Sequence, residues 1–288
     1  MLGVLLALIP AVCWGSIVLV TVKLGGDAHS QTLGTTWGAL LFSGVTYLIT
    51  QPAIDMKAVW VGFLSGMFWA LGQRNQLASI KDLGVSKTVP LSTGMQLLAT
   101  TLFGVLIFHE WQSRTTILLG STAIVLIIVG VFVVSVQQDS QEDIEGDQRL
   151  RRGLMTLLIS TLGYLGYVIL IRWFHIDGWS AILPQATGMV TGATLLTFRH
   201  HPFNRYALRN ILSGLLWGLG NLGLLLALPL AGVAISFSLS QTGIIISTVG
   251  GLFLLKEHPT KKRMILVIAG CLLIITGGVI LGFTKAKS

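Results

Sequence analysis

No aspartate, glutamate or histidine falls near the middle of any apolar run in this 288-residue chain. Only 10% of the residues are charged, where a soluble domain carries roughly 25%. The two cysteines, Cys13 and Cys271, stand singly inside apolar runs, so neither a disulfide framework nor a metal site is indicated. No G-x-x-x-x-G-K-[ST] phosphate loop is present, and no H-E-x-x-H or G-x-S-x-G motif. These absences exclude direct drive by ATP and leave no basis for an enzyme or for a cofactor. The largest connection, 137–152 ("QQDSQEDIEGDQRLRR"), is too short and too polar to fold alone.

What is abundant is hydrocarbon. The chain is 53% hydrophobic with mean hydropathy +0.80, and apolar runs of about 20 residues, each long enough to cross a bilayer, recur throughout. Ten spans are expected, at about 2–22, 30–50, 58–80, 84–108, 115–136, 153–173, 179–198, 208–229, 233–255 and 264–283. The opening run lacks a basic n-region and reads as the first span rather than a signal peptide. The fold class is an all-α polytopic membrane protein, in contact with the lipid bilayer. The net charge of +8 does not indicate nucleic acid, because 13 of the 19 Lys and Arg fall in the loops after spans one, three, five, seven and nine or in the first turn of the span that follows. By the positive-inside rule those loops are cytoplasmic and both termini lie outside.

The chain also repeats itself. "LSGMFWALGQ" (64–73) matches "LSGLLWGLGN" (212–221) at an offset of 148, and "LGVSKTVPLS" (83–92) faces "AGVAISFSLS" (231–240) in the same register. After a one-residue slip "FHEW" (108–111) faces "LKEH" (255–258), and "CWGS" (13–16) stands more weakly opposite "YLGY" (164–167). A repeat of five spans must invert in the membrane, as in secondary transporters, which bind substrate near the midplane between their halves. The expected organisation is a first five-helix repeat at 1–136, a polar linker loop at 137–152 and a second repeat at 153–288. Gly34 with Gly38, Gly62 with Gly66, Gly188 with Gly192 and Gly214 with Gly218 have the G-x-x-x-G spacing that lets helix backbones approach.

In place of buried charge the spans carry neutral polar and aromatic side chains. Trp69, Gln73 and Gln76 share one helix face, with Asn75 toward a neighbouring face. Thr93, Gln96 and Thr100 are similarly spaced; Trp217 and Asn221 repeat Trp69 and Gln73; Ser236, Ser240 and Gln241 follow, and Trp14, Trp37, Tyr164, Tyr167 and Gln185 complete the set. Amides offer donor and acceptor together, and indole faces pack on the C–H faces of a sugar ring. An uncharged, multiply hydroxylated ligand suits this set better than an anion or a cationic drug. The candidate substrate-binding residues are Trp14, Trp69, Gln73, Asn75, Gln76, Thr93, Gln96, Trp217, Asn221, Ser240 and Gln241. Each also has a structural reading, since polar residues in bundles often bond neighbouring helices. Arg74, about two-thirds across span three, is read as snorkelling to the interface or paired structurally. Glu110 and Glu257, repeat-related at the ends of spans four and nine, are read first as helix-end or ion-pair residues and second as carriers of a coupled proton.

Several phrases carry a resemblance. "AVCWGS" (11–16), "GTTWGAL" (34–40), "LGQRNQLASI" (71–80), "VPLSTGMQLLATTLFG" (89–104), "WGLGNL" (217–222) and "GVAISFSLSQTGIIISTVGG" (232–251) resemble the bacterial glucose/ribose porter family of the drug/metabolite transporter superfamily. The resemblance implies a ten-helix fold of inverted five-helix halves in the bacterial cell membrane, importing glucose or ribose with protons. It places the family's G-Q-x-N-Q phrase on Gly72, Gln73, Asn75 and Gln76, its S-T-G-M-Q phrase on Ser92 to Gln96, and its S-L-S-Q phrase on Ser238 to Gln241. The family's glycine before the span-four glutamate is His109 here. Relatives in the superfamily are drawn with both termini in the cytoplasm, against the loop charges. The expected function is a secondary monosaccharide importer, with proton symport and alternating access. The alternatives are an uncoupled sugar facilitator, or an exporter of amino acids or other metabolites on the same fold. Oligomeric state is not legible.

Overall fold

The computed structural model describes residues 2–109, 111–135, 144–255 and 260–287, and the described residues are helical throughout, with short turns and no strand among them. The helices are α1 (Leu2–Leu24), α2 (Ala28–Thr50), α3 (Met56–Leu83), α4 (Val85–Phe108), α5 (Arg114–Ser135), α6 (Ile144–Trp173), α7 (Gly178–Thr197), α8 (Arg205–Arg209), α9 (Ile211–Gln241), α10 (Gly243–Leu254) and α11 (Lys261–Lys287), with a 3₁₀ turn at Phe198–His200.

Three acids confined to the span ends have a visible task. Asp27 accepts the Ser30 N–H at 2.9 Å, Asp55 the Ala58 N–H at 2.7 Å, and Asp177 the N–H groups of Trp179 and Ser180 at 3.0 and 3.1 Å. Each satisfies donors that the first turn of a helix leaves without partners and sets a negative charge against the positive end of its dipole.

Among the described residues, six helices are long and apolar enough to cross a membrane: Leu2–Leu24, Val85–Phe108, Arg114–Ser135, Gly146–Trp173, Arg205–Ala227 and Met264–Thr284. α2, α3 and α7 have the length but more polar residues; α3 packs on α6 and α7, and α2 on α7 and α9. α9 also packs on α1, α5 on α11, and α4 on α5, α6 and α10. Large apolar side chains such as Leu48, Ile49, Leu118 and Phe132 are exposed on the outside, a surface suited to hydrocarbon and not to water.

The structure moves two boundaries. α6 begins at Ile144, inside the expected linker 137–152, because "IEGDQRLRR" combines good helix formers with acids in the first turn. Its early start brings Arg152 within 2.9 Å of Asp82 at the end of α3, a surface pair worth less than about 1 kcal/mol. The break expected at 230–232 is absent. α9 runs on to Gln241, since this apolar stretch offers no polar side chains that would satisfy an opened backbone. Glu110 and Glu257, read first as helix-end or ion-pair residues and second as carriers of a coupled proton, lie outside the described residues.

Candidate functional site

At the centre α1, α2, α3, α6, α7 and α9 converge on an aromatic cluster of Trp14, Trp69, Tyr164, Tyr167 and Trp217. Trp69 and Trp217 pack edge to face, with ring centroids 5.5 Å apart and planes at 66°, and Tyr164 meets Trp69 in the same manner at 6.4 Å and 79°. This is the geometry aromatic quadrupoles favour. It also means that the two repeat-related tryptophans, both buried, turn part of their surface to one another and to their cluster neighbours. Trp14, half-buried, donates its Nε1–H to the Trp217 carbonyl at a long 3.4 Å.

A chain of neutral hydrogen bonds runs from this cluster toward α4. The Tyr164 hydroxyl is shared between Gln73 Oε1 at 2.6 Å and Gln76 Oε1 at 3.1 Å. Gln76 Nε2 donates to Ser92 Oγ at 2.8 Å, and Gln96 Nε2 donates to the same oxygen at 3.0 Å. Gln73, Gln76 and Ser92 are all buried. Gln73 Nε2 is a buried donor with no partner among the described residues, and such a group costs about 1–3 kcal/mol unless something else satisfies it.

A cavity of about 230 Å³ opens where α6 ends and α7 begins. Its walls are apolar, from Val168, Ile171, Ala181, Ile182, Leu224 and Leu225, and three polar side chains meet in it: Tyr167, Gln185 and Asn221. The Tyr167 hydroxyl and Asn221 are hydrogen-bonded to one another. Gln185 Nε2 donates to Ser65 Oγ at 3.0 Å, and Ser65 donates to the Tyr167 carbonyl at 2.8 Å, which fixes the amide and leaves Gln185 Oε1 as an acceptor. Tyr167 lies six residues from the end of α6 and Gln185 seven from the start of α7, so the polar group sits about 10 Å below the mouth. Among the described residues no charged side chain lines this cavity.

The structure thus gathers Trp14, Trp69, Gln73, Gln76, Gln96 and Trp217 around the centre, and places Asn221 in the cavity wall. Asn75 is buried but turned elsewhere, donating to the Leu71 carbonyl of its own helix at 2.8 Å. Thr93 is half-buried on α4 and Ser240 is buried on α9; the side chain of Gln241 lies outside the description. Arg74 is half-buried and reaches Asn75 Oδ1 only at 3.5 Å. Its charge is felt by His29 at the start of α2, in keeping with a side chain that extends toward the interface. Tyr167 and Gln185, present in the sequence pattern but not among the candidate substrate-binding residues above, are two of the cavity's three polar groups. Ser65 is absent from that pattern, although it stands one helical turn before Trp69 on the same face.

Comparison with known proteins agrees across the whole chain. A family model described as "Sugar transport protein" matches residues 5–284. A Bacillus anthracis protein provisionally named for sugar uptake is 59% identical over 285 residues, 99% of this chain and 100% of that one. The glucose uptake protein GlcU of Bacillus subtilis is 54% identical over 288 residues, 100% of both chains. A solved crystal structure with 13% sequence identity superposes with a TM-score of 0.56 over 97% of each chain, a likeness of fold alone.

Proposed function

Because the chain belongs to the sugar transport protein family, and is a multi-pass protein of the bacterial cell membrane, we propose that it is a secondary transporter taking up a neutral monosaccharide, glucose or ribose, together with a proton. The observation that carries the substrate class is the cavity: small, apolar-walled, uncharged, and equipped with one phenol and two amides at its polar end. A pocket of this size suits a small ligand rather than a drug-sized one. Hydroxyl groups both donate and accept, and the Tyr167–Asn221 pair and the acceptor Oε1 of Gln185 answer both needs. Beyond the Trp69–Trp217 pair, the orphan donor of Gln73 offers a further bond to a sugar that moves inward.

Alternating access is supported by the way the helices cross. Gly38 of α2 lies against the Ile211 carbonyl of α9, and Gly188 of α7 lies against the Phe63 carbonyl of α3; 63 and 211 are 148 apart. Gly66 meets the Gln185 carbonyl and Gly214 the Thr35 carbonyl, again 148 apart on α3 and α9. Gly72 lies against the ring of Tyr164, and Gly220 against the ring of Trp14. In our reading α3 with α6 and α7 is the inverted copy of α9 with α1 and α2, and uptake proceeds as the two halves exchange conformations.

The test is uptake of labelled glucose and ribose into proteoliposomes, with and without an inward proton gradient. Accumulation above equilibrium only with the gradient is expected. Saturable uptake that merely equilibrates would replace symport by facilitated diffusion, and competition by amino acids but not by sugars would replace import by metabolite export. In the same assay Asn221→Leu is expected to raise KM about tenfold, the loss of one hydrogen bond to a buried ligand.

A further inference from the structure

The cavity opens at the α6–α7 end, and at the opposite end of the molecule the described residues are tied across the two halves of the chain. On that face the end of α1 and the start of α2 are tied to the segment 198–213. Thr21 donates to Ser213 at 2.8 Å, Asn210 donates to the Gly25 carbonyl at 3.1 Å, and Gly26 lies against the ring of Tyr206. The remaining tie has a different chemistry. The imidazoles of His29, at the start of α2, and His200, in the turn after α7, are stacked with centroids 3.9 Å apart and planes within 16°. One ring belongs to the first half of the chain and the other to the second. His29 Nδ1 is buried with no partner among the described residues, so ring contact rather than a hydrogen bond joins the pair.

We propose that His29 and His200 form a proton-sensitive latch holding this face of the transporter closed, which acidification on that face releases. The inference rests on the transport reading above, in that opening this face is what would let a bound sugar through.

The charged and titratable groups around the latch decide its sign. His29 faces Arg74 of α3, His200, and Asp27 on its own turn. The Asp27 carboxylate is already engaged by the backbone N–H and hydroxyl of Ser30. Arg199 lies over the Phe198 ring, and Arg205 and Arg209 lie over the Tyr206 ring. Burial, then Arg74 and His200, hold His29 below the ordinary histidine range against the smaller opposing effect of Asp27. A second proton would set two like charges face to face beside a guanidinium. The closed state therefore favours the neutral pair: its advantage is complete above the ordinary histidine range and is lost as pH falls through His29's depressed value.

The experiment uses the full chain in lipid nanodiscs without sugar. Cys13 and Cys271, both buried, are replaced by alanine, and spin labels are placed at exposed Lys23 and Leu208. Between about pH 8 and about pH 5 the fraction of molecules at a longer label separation is expected to rise at least about threefold. The double variant His29→Phe with His200→Phe keeps a ring stack that cannot titrate, and should stay closed at both values. His29→Gln loses the stack, and should show the longer separation at both. A wild-type distribution unchanged by pH, or a Phe pair that still responds to it, would overturn the latch. Because no sugar is present, that result is independent of the uptake assay, whose failure would remove the transport reading instead.

Discussion

Tyr164 and Trp14 occupy matching posts, each with its ring against a glycine, Gly72 on α3 and Gly220 on α9, yet the two crossings have opposite characters. At α3–α6 the Tyr164 hydroxyl enters a chain of four polar side chains that reaches Gln96 on α4. At α9–α1 the Trp14 N–H finds only a carbonyl at 3.4 Å, and the positions 148 after Gln76 and Gln96 are Leu224 and Ile244. The glycines keep the backbones close in both, while the side chains above them have diverged. The polar crossing is packed shut by its own hydrogen bonds. Leu224, at the repeat position of Gln76, lines instead the cavity between α6, α7 and α9, away from α1. On the proposed inverted repeat, a shared frame does not yield a symmetric site: contact geometry lies in the glycines, and chemistry in a few residues free to change independently.

The comparison breaks first if the frame itself is not shared. Gly66→Val and Gly214→Val each push a branched side chain into a carbonyl of the facing helix, Gln185 and Thr35 respectively. Backbone cannot swing aside as a side chain can, so each should cost about 3 kcal/mol or more, read as loss of folded protein in detergent. Near-equal losses are expected; a harmless change at one site alone would deny that the crossings are equivalent. The next effect separates them. Tyr164→Phe leaves two buried amide oxygens short of a donor and should destabilise by about 1–3 kcal/mol, whereas Trp14→Phe gives up one long bond at a half-buried site and should cost less than about 1 kcal/mol beyond lost packing. Thermal unfolding of both variants reads the difference, and equal losses would contradict it.

Much of this frame was legible because its signals are local. Span lengths, the absence of deep charge, the G-x-x-x-G pairs and the Trp-x-x-x-Gln/Asn recurrence follow from one helix at a time. What was not legible depends on which faces meet. Nothing in the spacing of Trp69 and Trp217 says that they pack on one another, which removes part of their surface from a ligand. Asn75 reads as a site residue from its neighbours, but a short amide two positions from Gln73 points to the other side of the helix and bonds its own backbone. Gln185 needed Ser65, on another helix, to become a fixed acceptor. His29 and His200 are 171 positions apart in the sequence, and only the fold stacks them.

The smallest effect lies where the two regions end. α4 and α10 both close with an N–H reaching back five residues, from His109 to the Gly104 carbonyl and from Leu255 to the Gly250 carbonyl. His109 does so with φ 51° and ψ 42°, in the left-handed region where a Cβ crowds the backbone, at the position where the resembling family has glycine. Leu255 does so with φ −96° and ψ 0°, which any residue adopts. Strain of about 1–2 kcal/mol at His109 opposes the extra chain entropy a glycine would bring, about 0.5–1 kcal/mol. His109→Gly should therefore gain about 0.5 kcal/mol, and Leu255→Gly, with no strain to relieve, should lose a similar amount in addition to its packing. Melting temperatures that move in opposite directions would show that the two ends, alike in hydrogen bonding, differ in conformational energy. A destabilised His109→Gly would instead mean that the imidazole makes a contact worth more than the strain it carries.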